Sequence, residues 1–292
     1  MHQLGRLGSA VTILDSGAQL LPREDPEAAR IVEVALAADG VTVVHAAKVV
    51  AARNDAGART LRYEQDGRTV EITGDAILLA TGRAPNVNGM GLDQAGVSFD
   101  EKGITVNDRF RTTNHRVFAI GDCASKFQFT HAADAQARLA VPNALFYGLG
   151  GGKGSRLVMP WCTYTSPEVA HVGLTAADVA AAGDAVETVT IPFTEVDRAV
   201  LDGDDEGFLR VYLKRGSDRI LGATLVADHA GEMISEVTVA MVNGVGLGGL
   251  GKTIHPYPTH AEAVRKAADA HRRSRFTPRV KRVFGWWFRV TS

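Results

Sequence analysis

Asp122 stands where a carboxylate could bind a polyol. It follows Gly121 directly after the apolar run 117–120, which is typical of a short buried strand. Open α/β sheets bind ligands beyond strand ends, glycine lets a ligand approach the backbone, and a carboxylate accepts hydrogen bonds from hydroxyl groups. A Gly-Asp pair is also an ordinary turn, and for the dipeptide alone the turn is the favoured interpretation.

Asp15 is a second candidate, for a ribose. Residues 4–8 indicate the end of a helix and residues 10–14 a buried strand, together the second half of a β-α-β unit. An acidic residue after such a strand accepts the ribose 2′-hydroxyl in dinucleotide-binding folds and would repel a 2′-phosphate, which favours NAD, although Ser16 and Arg23 could adapt the site. The glycine-rich turn that should precede the helix is not in this sequence, and an isolated Asp is more often a turn residue.

Composition limits the class of protein. The 292 residues allow about two domains, and 32 basic against 33 acidic residues argue against a nucleic-acid or membrane partner for the bulk of the chain. No apolar run is long enough to span a bilayer and no signal peptide is evident, so a cytoplasmic location is expected. Cys123 and Cys162 have neither redox-pair nor metal-ligand spacing, so neither a disulfide nor a metal site is predicted.

The first part of the chain has a mixed pattern. It predicts a helix at 25–38, a strand at 41–44 and an antiparallel excursion at 49–52, 60–64 and 69–73, with a turn at Asp66-Gly67. Residues 76–80 are apolar throughout, which predicts a central parallel strand.

The second part contains two further patterns. Strands are predicted at 103–106 and 117–120 and a helix at 131–149, before a glycine-rich linker at 148–154. A strand pair at 209–213 and 220–226 and a helix at 230–243 then indicate a separate α+β domain. The sequence therefore predicts an α/β protein, with partial Rossmann-like nucleotide-binding segments followed by an α+β domain.

Two motifs in order carry a family resemblance. Residues 80–86, with Thr81, Gly82 and Arg83, precede residues 119–122 and a helix. This arrangement resembles the pyridine nucleotide-disulfide oxidoreductases, the group that holds dihydrolipoamide dehydrogenase, glutathione reductase and mercuric reductase. The resemblance extends to about residue 268 and implies FAD and NAD(P)H as cofactors.

The resemblance also implies roles for particular residues. Thr81, Gly82 and Arg83 match the family's crossing motif, and Gly121 with Asp122 matches its second flavin-binding motif, in which the Asp binds the ribitol. A residue at or next to His131-Ala132 would lie near the flavin ring. The positive end of the following helix would favour negative charge on the reduced ring.

The terminal domain resembles the family's dimerisation domain, at 160–175 and at 230–234, which implies a homodimer. The family's His-Pro-Thr-x-x-Glu motif falls on a segment that places Tyr257 at the acid-base position and Glu262 at the orienting carboxylate. Mercuric reductases carry the same exchange, and a phenol shuttles protons poorly at neutral pH. His255 and His260 flank the motif and could substitute after a register shift, although ordinary packing histidines are favoured.

Several features of the family are not in this sequence. The first flavin turn, the redox-active Cys-x-x-x-x-Cys pair and the terminal cysteine pair of mercuric reductases are missing, so a truncated gene or partial reading frame is the simplest expectation. The tail is basic and aromatic. Packing of this tail on its own domain or on a dimer partner is favoured over contact with a membrane.

These observations predict a partial NAD(P)-binding domain at 1–84, the end of an FAD-binding domain at 85–150, a dimerisation domain at 155–270 and the tail at 271–292. The expected function is a mercuric reductase-like oxidoreductase, acting on a small-molecule or metal-thiol electron acceptor. The alternatives are a dihydrolipoamide dehydrogenase-like enzyme and an inactive dimerisation module without flavin.

Overall fold

The structure, a computed structural model, describes residues 2–55, 57–146, 151–276 and 278–291. The chain forms two compact units, one of Met1–Ile77 with Pro160–Ser292 and one of Leu78–Met159. Within the described residues the strands are β1 (Thr12–Leu14), β2 (Thr42–Val44), β3 (Lys48–Asp55), β4 (Ala58–Gln65), β5 (Arg68–Gly74), β6 (Phe99–Asp100), β7 (Gly103–Ile104), β8 (Pro160–Thr163), β9 (Glu168–Gly173), β10 (Val186–Pro192), β11 (Phe208–Lys214) and β12 (Ile220–Ala227). The α-helices are α1 (His2–Arg6), α2 (Pro26–Ala38), α3 (Thr130–Leu145), α4 (Ala176–Ala182), α5 (Asp197–Asp202), α6 (Ala230–Val242), α7 (Leu247–Leu250), α8 (Glu262–Ser274) and α9 (Pro278–Thr291).

The first unit begins with half of a β-α-β unit, as predicted. β1 and β2 pair in parallel, with Thr12 opposite Thr42. Helix α2 begins after Asp25, whose side chain accepts a hydrogen bond from the backbone N–H of Glu27, and Pro26 occupies the first turn, where its missing N–H costs nothing. The predicted helix and both strands are confirmed.

The predicted antiparallel excursion is also confirmed. β3, β4 and β5 form a three-stranded sheet in that order, and the turn between β4 and β5 lies at Asp66-Gly67. Every residue of β3 is exposed.

Two strand predictions are wrong. Residues 76–80 form no strand, and Leu78 and Leu79 are 60% and 80% exposed. Residues 117–120 make only a single bridge, between Arg111 and Phe118. An apolar run becomes a strand only when a neighbour completes its hydrogen-bond ladder, and in the described part of the chain no strand pairs with either run.

The predicted α+β domain contains a five-stranded sheet in the order β10-β11-β12-β9-β8, and all its pairs are antiparallel. The predicted strand pair is β11 and β12, whose residues are almost all buried. Helix α6, the predicted helix, packs on β9 and β12. These predictions are confirmed. The predicted 148–154 linker and the end of the 131–149 helix fall partly on residues 147–150, which lie outside the described residues.

The five-stranded sheet and the first segment share a hydrophobic core. Val11, Val32 and Leu36 cluster with Val169 and Phe208. Polar contacts surround this cluster. Arg210 pairs with Asp25 at 2.6 Å. The contact therefore combines apolar burial with charge pairing.

Glu24 is a buried carboxyl group in the same contact. Its Oε1 accepts a hydrogen bond of 2.8 Å from the indole N–H of Trp161, whereas its buried Oε2 has no partner. Burial raises the pKa of Glu24 above its ordinary value, against the opposing effect of the Trp161 hydrogen bond. Burial therefore favours the neutral form of this carboxyl group in the folded chain.

We expect Glu24→Gln to make the free energy of unfolding less dependent on pH. Because the folded pKa of Glu24 is raised, its stabilising contribution is present below the unfolded pKa and is lost as the pH rises through the folded pKa. Gln keeps an acceptor for Trp161 and does not ionise. Urea titrations from about pH 4 upward measure the effect.

Glu64→Gln, an exposed change of the same chemistry on β4, is the control and should leave the pH dependence as in the wild type. Parallel stability curves for Glu24→Gln and the wild type would contradict this prediction.

Candidate functional site

The second unit holds a cavity of about 420 Å³. Two predicted motifs meet there, because residues 83–86 form one wall and Asp122, Cys123 and Gln128 form the other. The sequence predicted Arg83 and Asp122 as ligand-binding residues, and the structure places both at this cavity. Asn86 belongs to the motif at 80–86 but was not predicted as a site residue, and neither Cys123 nor Gln128 was predicted to bind a ligand.

The two charged side chains of the cavity face one another loosely. Arg83 Nη1 lies 3.7 Å from Asp122 Oδ2, and the two side chains are 72% and 51% exposed. An exposed pair at this distance contributes little to stability. Both groups are consequently available to a ligand. Thr81 and Gly82 precede Arg83 in an exposed segment without regular structure.

The backbone at Gly121 requires glycine. Its φ is +69°, and a Cβ atom there would lie 3.1 Å from the Cβ atom of Ala133 on α3. The residue begins a short 3-10 helix, Gly121–Cys123, which packs on α3. A side chain would therefore push this turn away from the helix.

Gln136 fixes the same turn, a role that was not predicted from the sequence. Its Oε1 accepts a hydrogen bond of 2.8 Å from the backbone N–H of Gly121, and its Nε2 donates to Ser125 Oγ at 3.0 Å. Gln136 belongs to the buried face of α3, with Ala132, Ala140 and Asn143. A polar residue in an otherwise small, buried helical stripe was the signal that could have identified it.

His131 and Ala132 differ in accessibility. Ala132 is fully buried, whereas His131 is exposed in the first turn of α3 and its ring stacks on Phe129 with 5.2 Å between centroids. Of the two, only His131 can present a side chain to a ligand.

Asp15 lies at the end of β1, as predicted, and its side chain makes a local turn. Its Oδ1 accepts a hydrogen bond of 2.7 Å from the backbone N–H of Gly17. This geometry is the ordinary turn role of an aspartate. The second carboxylate oxygen can still accept a bond from a hydroxyl group.

Tyr257 and Glu262 have different partners. The Tyr257 hydroxyl donates to Asp197 Oδ2 at 3.0 Å, and this bond is the main reason that the pKa of Tyr257 is raised. Glu262 is buried at the start of α8, where Arg265 and Lys266 neutralise it. In the single chain, Glu262 therefore pairs with basic side chains of its own helix.

The flanking histidines are both largely buried. His255 Nε2 lies 2.8 Å from Glu236 Oε1. His260 packs edge-on against the ring of Phe193 and lies 3.5 Å from Asp202 Oδ2, too far for a good hydrogen bond. These contacts agree with packing roles.

The two cysteines are free thiols. Cys162 lies 3.8 Å from Glu168 Oε2, and burial, followed by the Glu168 charge, raises its pKa to about 12. A thiol with this pKa is a poor nucleophile and a poor metal ligand at neutral pH. Among the described residues, no group of three His, Cys, Asp or Glu side chains is arranged to hold a metal ion. Within the same residues, every helix is too short or too polar to cross a bilayer.

Sequence comparison identifies the family. Residues 2–137 match the pyridine nucleotide-disulphide oxidoreductase family, and residues 159–268 match the pyridine nucleotide-disulphide oxidoreductase dimerisation domain. The chain belongs to this family. Its members are FAD-dependent oxidoreductases that use NAD(P)H.

Two curated members of the pyridine nucleotide-disulphide oxidoreductases illustrate the range of relatives. The dihydrolipoyl dehydrogenase of Bacillus subtilis is 32% identical over 90% of this chain and 56% of its own length. The mercuric reductase of Streptomyces lividans is 34% identical over 90% of this chain and 55% of its own length. The chain thus spans a little over half the length of these relatives.

The solved structure of a flavoprotein disulfide reductase agrees with this fold. The HOCl-induced flavoprotein disulfide reductase RclA from Escherichia coli has a TM-score of 0.81 and 26% identity, over 92% of this chain and 61% of that protein. The predicted class, α/β segments followed by a dimerisation domain, is confirmed.

Proposed function

We propose that this chain supplies the ribityl-binding part of a flavin site in an FAD-containing, NAD(P)H-dependent oxidoreductase. The observation that carries the proposal is the cavity that brings Arg83 and Asp122 together. The residues fit the ligand. Gly121 allows the turn to pack closely on α3, and this turn presents the half-exposed carboxylate of Asp122 to hydroxyl groups.

Each residue of the site has a distinct task. Asp122 accepts hydrogen bonds from ribityl hydroxyls, and Arg83 compensates its charge. Gln136 holds the Gly121 N–H and thereby fixes the direction of the turn. The N-terminal turn of α3, which contains His131, favours negative charge near the flavin ring. FAD, when bound, supplies hydride acceptance.

We propose that the oxidoreductase to which this chain contributes reduces a metal-thiol acceptor as mercuric reductases do, through a redox-active cysteine pair that this sequence does not contain. Tyr257 supports this proposal because its phenol is held by Asp197 and its pKa is raised, so it holds its proton at neutral pH instead of exchanging it with a thiol. Dihydrolipoyl dehydrogenase of Bacillus subtilis is a comparable relative, and a lipoamide-type acceptor is the second candidate.

Two finer proposals follow from the same residues. We propose NAD as the preferred nicotinamide cofactor, because a carboxylate at Asp15 would repel a 2′-phosphate. We also propose a homodimer, supported by the dimerisation-domain match over residues 159–268.

The expected result of an FAD titration is saturable binding by the chain, followed through quenching of flavin fluorescence. Asp122→Ala should weaken binding by about 10- to 100-fold, the effect of losing one or two charge-assisted hydrogen bonds. The measurement is the dissociation constant at equilibrium.

Asp93→Ala is the matched control, because Asp93 is exposed in the same unit and outside the cavity. Its affinity for FAD should equal that of the wild type. An absence of binding by the wild-type chain would favour the alternative of an inactive dimerisation module, and equal affinities for the two variants would remove Asp122 from the site.

A further inference from the structure

The tail of the chain has a composition unlike that of the rest. No Asp or Glu follows Asp269, whereas the later residues include Arg272, Arg273, Arg275, Arg279, Lys281, Arg282 and Arg289. Since the whole chain has a net charge of −1, the remainder is net acidic. The dimerisation-domain match ends at residue 268, just before the tail.

Most of this tail is helical. Helix α9 runs from Pro278 to Thr291, with Pro278 in the first turn, where proline is tolerated. At about 1.5 Å per residue the helix is roughly 21 Å long, shorter than the ~30 Å of a bilayer core. A helix of this length can lie along a membrane surface without crossing the bilayer.

The described side chains of α9 separate into two faces. Phe284, Trp287 and Val290 follow one another at three-residue spacing and share one face, on which they are 43%, 55% and 64% exposed. Arg282 and Arg289 are seven residues apart, on another face, and both are exposed. Trp286, which is 59% exposed, lies between the two faces.

The aromatic face is only partly covered by the chain itself. Phe276 stacks on Phe284 with 5.5 Å between ring centroids. The two tryptophans of α9 remain more than half exposed in the single chain. Exposed tryptophans beside exposed arginines fit a partner that is apolar at one depth and anionic at another.

We propose that α9 binds in the plane of an anionic lipid membrane surface. Aromatic side chains enter the boundary between headgroups and acyl chains, while arginines remain at the level of the lipid phosphates. Among its Asp, Glu, Lys and Arg side chains the tail has only cations, so an anionic surface is complementary to it in charge. The net acidic remainder of the chain would be repelled by the same surface, which orients the tail toward it. The proposal does not depend on flavin binding.

The test is co-sedimentation of the full chain with lipid vesicles. Vesicles of phosphatidylcholine alone are compared with vesicles that contain phosphatidylglycerol as a third of the lipid, at low and at high salt. We expect binding to the anionic vesicles, loss of binding as salt screens the charges, and a blue shift of tryptophan fluorescence on binding.

Three variants localise the interaction. Arg282→Gln with Arg289→Gln should weaken binding by about fivefold per charge. Trp287→Ser with Phe284→Ser should weaken it through loss of buried apolar area. Arg30→Gln with Arg116→Gln removes two exposed charges elsewhere and should leave binding unchanged.

Several outcomes would overturn the proposal. They are failure to sediment with anionic vesicles, equal binding to neutral vesicles, and equal losses in the control and tail variants. A mass in solution that falls when the tail is substituted, with no lipid binding, would assign the helix to contact with a second copy of this chain. Thermal unfolding of each variant verifies that the fold is retained.

Discussion

Replacing Arg210 by methionine is expected to lower the free energy of unfolding by about 3–5 kcal/mol. Arg210 lies on β11 and pairs with Asp25, whose side chain is only 4% exposed. The same carboxylate accepts a hydrogen bond from the backbone of Glu27 at the start of α2. Methionine keeps the apolar stem above the ring of Phe208 but leaves Asp25 as a buried charge without its cation.

The control is Arg215→Met, which removes an exposed pair with Asp184 immediately after the same strand. That pair should contribute no more than about 1 kcal/mol. Asp25→Asn in combination with Arg210→Met should recover part of the loss, because no unpaired charge then remains. Urea unfolding measures all four proteins. Equal losses for Arg210→Met and Arg215→Met would show that the buried position of Asp25 is unimportant.

The sequence predicted the elements whose signals are local. Pro26 after Asp25 marked the start of α2, and Asp66-Gly67 marked the hairpin between β4 and β5. Alternation and capping arise from neighbouring residues, so they can be read from the sequence itself. The strand pair β11 and β12 was likewise predicted from its local pattern.

The wrong predictions concern structure that depends on distant partners. Residues 76–80 are as apolar as a buried strand, yet hydrophobicity does not supply the neighbour that completes a ladder. The pairing of Arg210 with Asp25 joins residues 185 positions apart, and no spacing rule reaches so far. The Asp197 partner of Tyr257 is likewise 60 residues away.

The candidate flavin site was likewise predicted only in part from the sequence. Motif order drew attention to Arg83 and Asp122, and the structure brings them to one cavity. Two residues that hold the turn in position belong to no motif. Gln136 accepts a hydrogen bond from the Gly121 N–H, and Gly103 leaves room for the carbonyl oxygen of Cys123. Their roles arise from packing between elements, which only the folded chain displays.

Gly103→Ala is expected to impair the candidate flavin site although Gly103 does not line the cavity. Its φ is +124°, and a Cβ atom there would lie 2.4 Å from the carbonyl oxygen of Cys123. A backbone atom cannot turn aside as a flexible side chain can, so the Gly121–Cys123 turn must move with its hydrogen bond to Gln136. We expect a loss of about 2–4 kcal/mol in the stability of this unit and at least roughly tenfold weaker FAD binding.

Gly96→Ala is the control variant, because it introduces backbone strain without displacing the turn. Gly96 lies in the same unit with a φ of +67°, and a Cβ atom there would meet nothing within 4 Å. It should cost about 1 kcal/mol and leave FAD affinity unchanged. Hydrogen exchange at the Gly121 amide should quicken in Gly103→Ala and not in Gly96→Ala, because only the former displaces the acceptor geometry at Gln136. Equal FAD affinities of the two variants would contradict this prediction. The position of the Gly121–Cys123 turn would then not determine FAD affinity, and Asp122 would bind the ligand even when its backbone is displaced.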